Sequence, residues 1–240
     1  MRNIKIALQY EGTRYLGWQR LKDQDNTIQG KLEDLLNKMT DEEVQVIGCS
    51  RTDQGVHAKS LIANFHTNSK MTLHEIQTYM NYYLPEDIRV TYIEEADDKF
   101  HARHNAKTKV YRFTIDNNSF ADVFTRKTAI HQPKQLDIKA MEKAANYLIG
   151  THDYDAFTTM KSKKKSCRKS IKSIAITKKN NYVYLEFEGE GFLHNMIRII
   201  TGTLIRVGTG EISPEELANI LASKDRSLSG PMVEGKGLML

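Results

Sequence analysis

The chain has 240 residues, a formal net charge of +5 and 40% hydrophobic residues. That length admits one large domain or two small ones with a full core, and the composition excludes a disordered or fibrous chain. No apolar run reaches the roughly 20 residues needed to cross a bilayer, and the two cysteines, Cys49 and Cys167, stand apart without partner motifs, which leaves a disulfide framework or zinc site unsupported. A cytoplasmic protein with two reduced thiols is expected.

Ile4, Ile6 and Leu8 alternate with polar residues and predict a half-buried strand from Asn3 to Tyr10. Thr27 has the character of an N-cap, with Ile28, Leu32, Leu35 and Met39 following at helical spacing. Val44 to Cys49 and Leu61 to Phe65 read as strands, so residues 50–60 connect them. Thr72 to Tyr83 predicts a helix ending before Pro85, and Ile88 to Ile93 a further strand. The second half repeats this sense: a strand Lys109 to Ile115, a helix Asp137 to Leu148, and strands Ile171 to Thr177 and Tyr182 to Phe187. The alternation of Val183, Leu185 and Phe187 with Tyr182, Tyr184 and Glu186 marks a sheet covered on one face. Gly191 to Val207 carries Met196, Ile199, Ile200, Leu204 and Val207 on one stripe and is expected to stop at Gly208. Ser213, Pro214 and Glu216 form a capping box that opens another helix.

The expected fold class is therefore α+β, in two domains at residues 1–105 and 106–240, with mixed or antiparallel sheets flanked by helices. With no Pro-, Gly- or Ser-rich linker, the halves are expected to pack rigidly around a central basic cleft. Charge is divided unequally, −1 over residues 1–120 and +6 over residues 121–240, and Lys161 to Lys172 holds seven basic residues. Such a run is an ordinary solvated face or a grip on an anionic partner.

Chemistry concentrates in Ser50-Arg51-Thr52-Asp53-Gln54-Gly55-Val56-His57-Ala58. In an extended segment Arg51 and Asp53 face the same side, although Asp followed by Gly two residues later is equally a common turn. No second His or carboxylate stands at metal-ligand spacing, so a metal hydrolase is rejected. Arg198, Gly202 and Arg206 recur at i, i+4 and i+8, a basic helix face on which the glycine would permit close approach.

Gly12-Thr13-Arg14-Tyr15-Leu16-Gly17-Trp18-Gln19, Thr27-Ile28-Gln29 and the Arg51-to-Ala58 stretch stand in the order of the tRNA pseudouridine synthase A family. Phe100-His101-Ala102-Arg103, Lys109-Val110-Tyr111-Arg112-Phe113, Gly150-Thr151-His152-Asp153-Tyr154, Gly191 to Arg198 and Gly237-Leu238-Met239-Leu240 resemble its later blocks. The resemblance spans nearly the whole chain. It implies the pseudouridine synthase fold and a cofactor-independent, metal-free isomerisation in which uracil is detached from C1′, turned and rejoined through C5.

By the same resemblance Asp53 is the nucleophile, attacking C1′ or C6 or assisting a glycal. Tyr111 stacks on the base or assists proton transfer, Arg198 pairs with the aspartate, and either Arg51 or Arg198 would hold it ionised. Arg51 and Leu238 contact the substrate, with Leu238 lining the uracil pocket. The basic run, with Lys163, Lys164, Lys165 and Arg168, is expected to hold phosphates. The implied partners are tRNA, at uridines on the 3′ side of the anticodon stem-loop, and a second copy of the chain in a homodimer. Ser50, Gln54, His194, Asn195 and Met232 depart from the family's usual residues and bear on which uridines are accepted. The alternative class is a tRNA-binding module that has lost turnover, against which the retained Asp53, Tyr111 and Arg198 argue.

Overall fold

The computed structural model describes residues 1–160 and 166–240. The chain falls into two compact units, Met1–Lys107 together with Leu240, and Thr108–Met239. Each is α+β.

The first unit contains strands β1 (Arg2–Tyr10), β2 (Ile47–Gly48), β3 (Ala58–Thr67) and β4 (Ile88–Ala96), with helices α1 (Ile28–Thr40), α2 (Leu73–Tyr83) and the short α3 (Ala102–Asn105). The sheet order is β2-β3-β1-β4, antiparallel throughout. Because strand side chains alternate faces, Ile4, Ile6 and Leu8 on β1 sit opposite Phe65, Ala63 and Leu61 on β3, and all six are fully buried. They form one core with Ile28, Leu32 and Leu36 of α1 and with Ile76 and Met80 of α2. Leu35 and Met39, placed on the α1 stripe by spacing alone, are only partly buried against this core, and Leu36 takes the central position. Thr27 caps α1 by accepting from the Gly30 N–H at 3.1 Å, and Thr72 and Glu75 form a reciprocal capping box on α2.

One expected strand is shorter than its apolar pattern. Of Val44 to Cys49 only Ile47–Gly48 pairs as β2. The Val44 and Val46 N–H groups donate instead to Asn37 Oδ1 at 2.8 Å and Glu33 Oε1 at 3.0 Å, so side chains of α1 replace a strand partner.

The second unit contains β5 (Lys109–Asp116), β6 (Ile130–His131), α4 (Ile138–Asn146), β7 (Gly150–Asp153), β8 (Arg168–Lys179), β9 (Tyr182–Gly189), α5 (Met196–Gly208), α6 (Pro214–Ser223) and β10 (Leu238–Met239). Its sheet runs β10-β5-β9-β8-β7, antiparallel, with β6 added parallel to β5, so this sheet is mixed. Val183, Leu185 and Phe187 are fully buried, as their alternation requires, and α4 packs on β8, α5 and α6.

Two boundaries differ from the sequence pattern. Helix α5 begins at Met196 and not at Gly191, because Asn195 takes a left-handed conformation (φ 60°, ψ 8°) that breaks helical continuity ahead of it. At its other end Gly208 is the last helical residue and not a left-handed stop. A Cβ there would lie 2.7 Å from Met141 Sδ, so the glycine serves the close approach of α4 to α5. No helix among the described residues is long and apolar enough to cross a membrane.

Candidate active site

Asp53 is half-buried in the connection between β2 and β3. Thr52 beside it is buried between exposed Arg51 and half-buried Asp53, the alternation of an extended segment. Its hydroxyl hydrogen-bonds the Tyr10 hydroxyl at 2.7 Å, and its carbonyl accepts from the Trp18 N–H at 3.0 Å. A turn follows, in which the Val56 N–H donates to the Asp53 carbonyl at 3.1 Å and the Gly55 N–H to the Tyr15 carbonyl at 3.2 Å.

These contacts explain the Gly12-to-Gln19 block, which wraps the Asp53 connection. A Cβ on Gly12 would fall on the Val56 carbonyl oxygen, and one on Gly17, itself at φ +106°, would come within 2.7 Å of the Thr52 carbonyl oxygen. Only glycine lets the two backbones lie this close. The Gly12 N–H donates to His57 Nδ1 at 3.0 Å, and the buried ring ties the two segments together. The same block docks on the start of α1, where the Ile28 and Gln29 N–H groups donate to the Gly17 and Trp18 carbonyls. Three blocks separated in sequence thus make one support. Burial, and then the hydrogen bond to Asp87, push the Tyr15 phenol up to about 12, which keeps it a neutral donor to that carboxylate.

In the second unit Tyr111 lies on β5 opposite Phe187, 6% exposed, its ring edge-to-face with Phe192 at 5.5 Å between centroids. Leu238 is buried on the neighbouring β10, opposite Phe113. Arg198 is oriented from two sides: Nε donates to the Val233 carbonyl at 2.7 Å and Nη1 to Asn195 Oδ1 at 2.8 Å. Asn195 in turn donates to Thr159 Oγ1 at 2.9 Å, and His194 Nδ1 also bonds that hydroxyl. Asn195, noted in the sequence only as a departure from the family's usual residues, orients Arg198. It tolerates the left-handed conformation and carries an amide able to accept from the guanidinium while donating to Thr159.

The basic face expected from Arg198, Gly202 and Arg206 is not an open one. A Cβ at Gly202 would fall on the Pro231 carbonyl oxygen, and Arg206 is engaged by Glu211 at 2.6 Å and by the Leu228 carbonyl. The segment from Leu228 to Val233 covers this face, so the glycine serves a contact inside the unit.

Of the basic run, Lys161, Lys163, Lys164 and Lys165 lie outside the described residues. Arg168 is exposed at the start of β8, and Lys172 is paired with Glu188 at 2.6 Å. Cys167, just before Arg168, is a buried thiol, pushed up to about 11 by burial and then by the hydrogen bond to Asp155.

Comparison with known proteins gives this arrangement a class. A family model described as tRNA pseudouridine synthase matches residues 6–105 and 144–240. Over all 240 residues the chain is 47% identical to "tRNA pseudouridine synthase A 1" of Clostridium tetani and 45% identical to "tRNA pseudouridine synthase A 2" of Bacillus cereus, covering 98% of each relative. It is 43% identical to a Thermoanaerobacter protein named tRNA pseudouridine synthase A, over the same extent. The chain belongs to the tRNA pseudouridine synthase A family. It is an isomerase acting on uridine in tRNA.

Proposed function

We propose that the enzyme modifies uridines on the 3′ side of the anticodon stem-loop, in the cytoplasm and without a cofactor, with Asp53 as nucleophile. The observation that carries this reading is the fixed Asp53 turn, tied through backbone bonds to Trp18 and Tyr15 so that a carboxylate is presented in one geometry. In the reaction the C1′–N1 bond breaks, a C1′–C5 bond forms, the C5 proton leaves and N1 gains a proton. The uridine must first be extruded from the stack, at a cost of a few kcal/mol recovered in the pocket. Unmodified tRNA transcript labelled with tritium at uridine C5 should therefore lose label to water when incubated with the enzyme, and mapping of the product should place it in that arm. Retained label would overturn the reading.

The family resemblance supplies the other roles. Arg51 or Arg198 is assigned to keep the carboxylate ionised, and Arg51 and Leu238 to contact the substrate. Tyr111 has its ring held edge-to-face by Phe192, and its hydroxyl is assigned to proton transfer. Tyr111→Phe keeps the stacking surface and removes only that hydroxyl. Turnover should then fall on the order of 10²-fold with little change in tRNA affinity, and unchanged kinetics would reduce Tyr111 to packing.

Lys163, Lys164 and Lys165, with Arg168, are assigned to phosphates. Changing the three lysines to Ala should lower the slope of log affinity against log salt by roughly two to three units, and an unaltered slope removes the assignment. The functional unit is proposed to be a homodimer, which light scattering checks as twice the 27.5 kDa chain mass.

A further inference from the structure

The first unit holds six arginines, and four of them are satisfied. Arg2 pairs with Glu95, Arg14 with Asp87, and Arg20 with Glu33 and Asp34, while Arg89 donates to the Pro85 and Ile88 carbonyls. The other two, Arg51 and Arg103, make no hydrogen bond or ion pair with any described residue, and they are neighbours. Arg103 is the second residue of α3, which packs on β2 and β3, and Arg51 follows β2 by three residues. Burial, and then the Arg51 charge, hold the Arg103 guanidinium below its ordinary value. Two like charges within coulombic range, one of them half-buried, favour an anion between them.

The position of Arg103 is built at a cost. Asn3 on β1 and Asn64 on β3 are fully buried amides among apolar strand residues, where an unmet hydrogen bond is expensive. Asn64 donates to Asn3 Oδ1 at 2.9 Å, Asn3 donates to the Asp97 and Phe100 carbonyls at 2.8 and 2.9 Å, and Asn64 Oδ1 accepts from the Ala102 N–H at 2.9 Å. The network ties the segment that carries Arg103 to the two central strands of the sheet.

We propose that Arg51 and Arg103 together clamp one backbone phosphate of the tRNA, flanking the uridine that reaches Asp53. The clamp goes beyond the roles given above, and its placement beside the reacting nucleotide rests on the Asp53 reading. Guanidinium forks match phosphate oxygens two at a time, so one phosphate can be held by both side chains.

The test uses the full chain, unmodified tRNA transcript and titrations at several salt concentrations. Arg51→Gln and Arg103→Gln should each weaken binding about tenfold with little change in salt slope, because the remaining arginine still neutralises the phosphate. The double Gln variant should lose nearly one unit of slope, and the double Lys variant, which keeps both charges, should retain it. The melting temperature of the free protein should not fall in either single variant, since removing one charge relieves repulsion. An unchanged slope in the double Gln variant, a loss of two units showing two separate phosphates, or a lowered melting temperature in Arg103→Gln would each overturn the clamp. Tritium release by Asp53→Asn, run in parallel, separates the two ideas: retained turnover defeats the nucleophile assignment, while the slopes still decide the clamp.

Discussion

Asp53→Asn should abolish turnover, lowering kcat at saturating tRNA by at least about 10⁴-fold, because an amide of the same shape has neither the charge nor the nucleophilicity of the carboxylate. The turn itself should survive. The Val56 N–H bonds the Asp53 backbone carbonyl and the Trp18 backbone N–H bonds that of Thr52, so these two ties do not use the carboxylate. Circular dichroism and tRNA binding should match wild type while single-turnover tritium release disappears. Substantial turnover in the folded variant would sink the assignment.

Gly12→Ala should be nearly as informative, because it strikes the support rather than the nucleophile. The new methyl would fall on the Val56 carbonyl oxygen and 2.6 Å from its carbon, both rigid backbone, so the Asp53 connection must move away. The Gly12-to-His57 bond would be strained with it. A displacement near 1 Å costs on the order of 10²-fold in rate, and the overpacking itself about 1–3 kcal/mol of stability. Gly191→Ala is the stability control: nothing lies within 4 Å of its added Cβ, and its melting temperature should stay at the wild-type value. Wild-type kcat in Gly12→Ala would show that the turn tolerates displacement.

What was legible in the sequence is what local physics writes there. Thr27 and Ser213 accept from a backbone N–H three residues on, as cap chemistry predicts, and Thr72 and Asp137 do the same at the other two helix starts. The β1 and β9 alternations likewise exposed their buried faces. What escaped depends on partners distant in sequence. Val44 and Val46 have strand composition, but Asn37 and Glu33 take their N–H groups. Arg198, Gly202 and Arg206 share a helix face as spacing required, yet only the fold shows the Leu228-to-Val233 segment lying over it. At the candidate site the motif blocks named Asp53, Tyr111 and Arg198 but not the purpose of their glycines, nor Asn195 as the residue that aims Arg198. Motifs record residue types, and the contacts they serve are three-dimensional.

Trp18 is the chain's one tryptophan, 1% exposed, with its indole against Gly48 and its backbone N–H on the Thr52 carbonyl. The protein therefore carries a single tryptophan, selectively excited near the red edge of its absorption, beside the residue proposed to do the chemistry. Its emission should be blue-shifted by the dry surroundings, and any movement of the turn that bears Asp53 alters the quenching groups around the ring. Stopped-flow fluorescence of the unlabelled enzyme can then follow that turn as tRNA arrives and product leaves, placing its motion in time relative to bond breaking without an introduced dye.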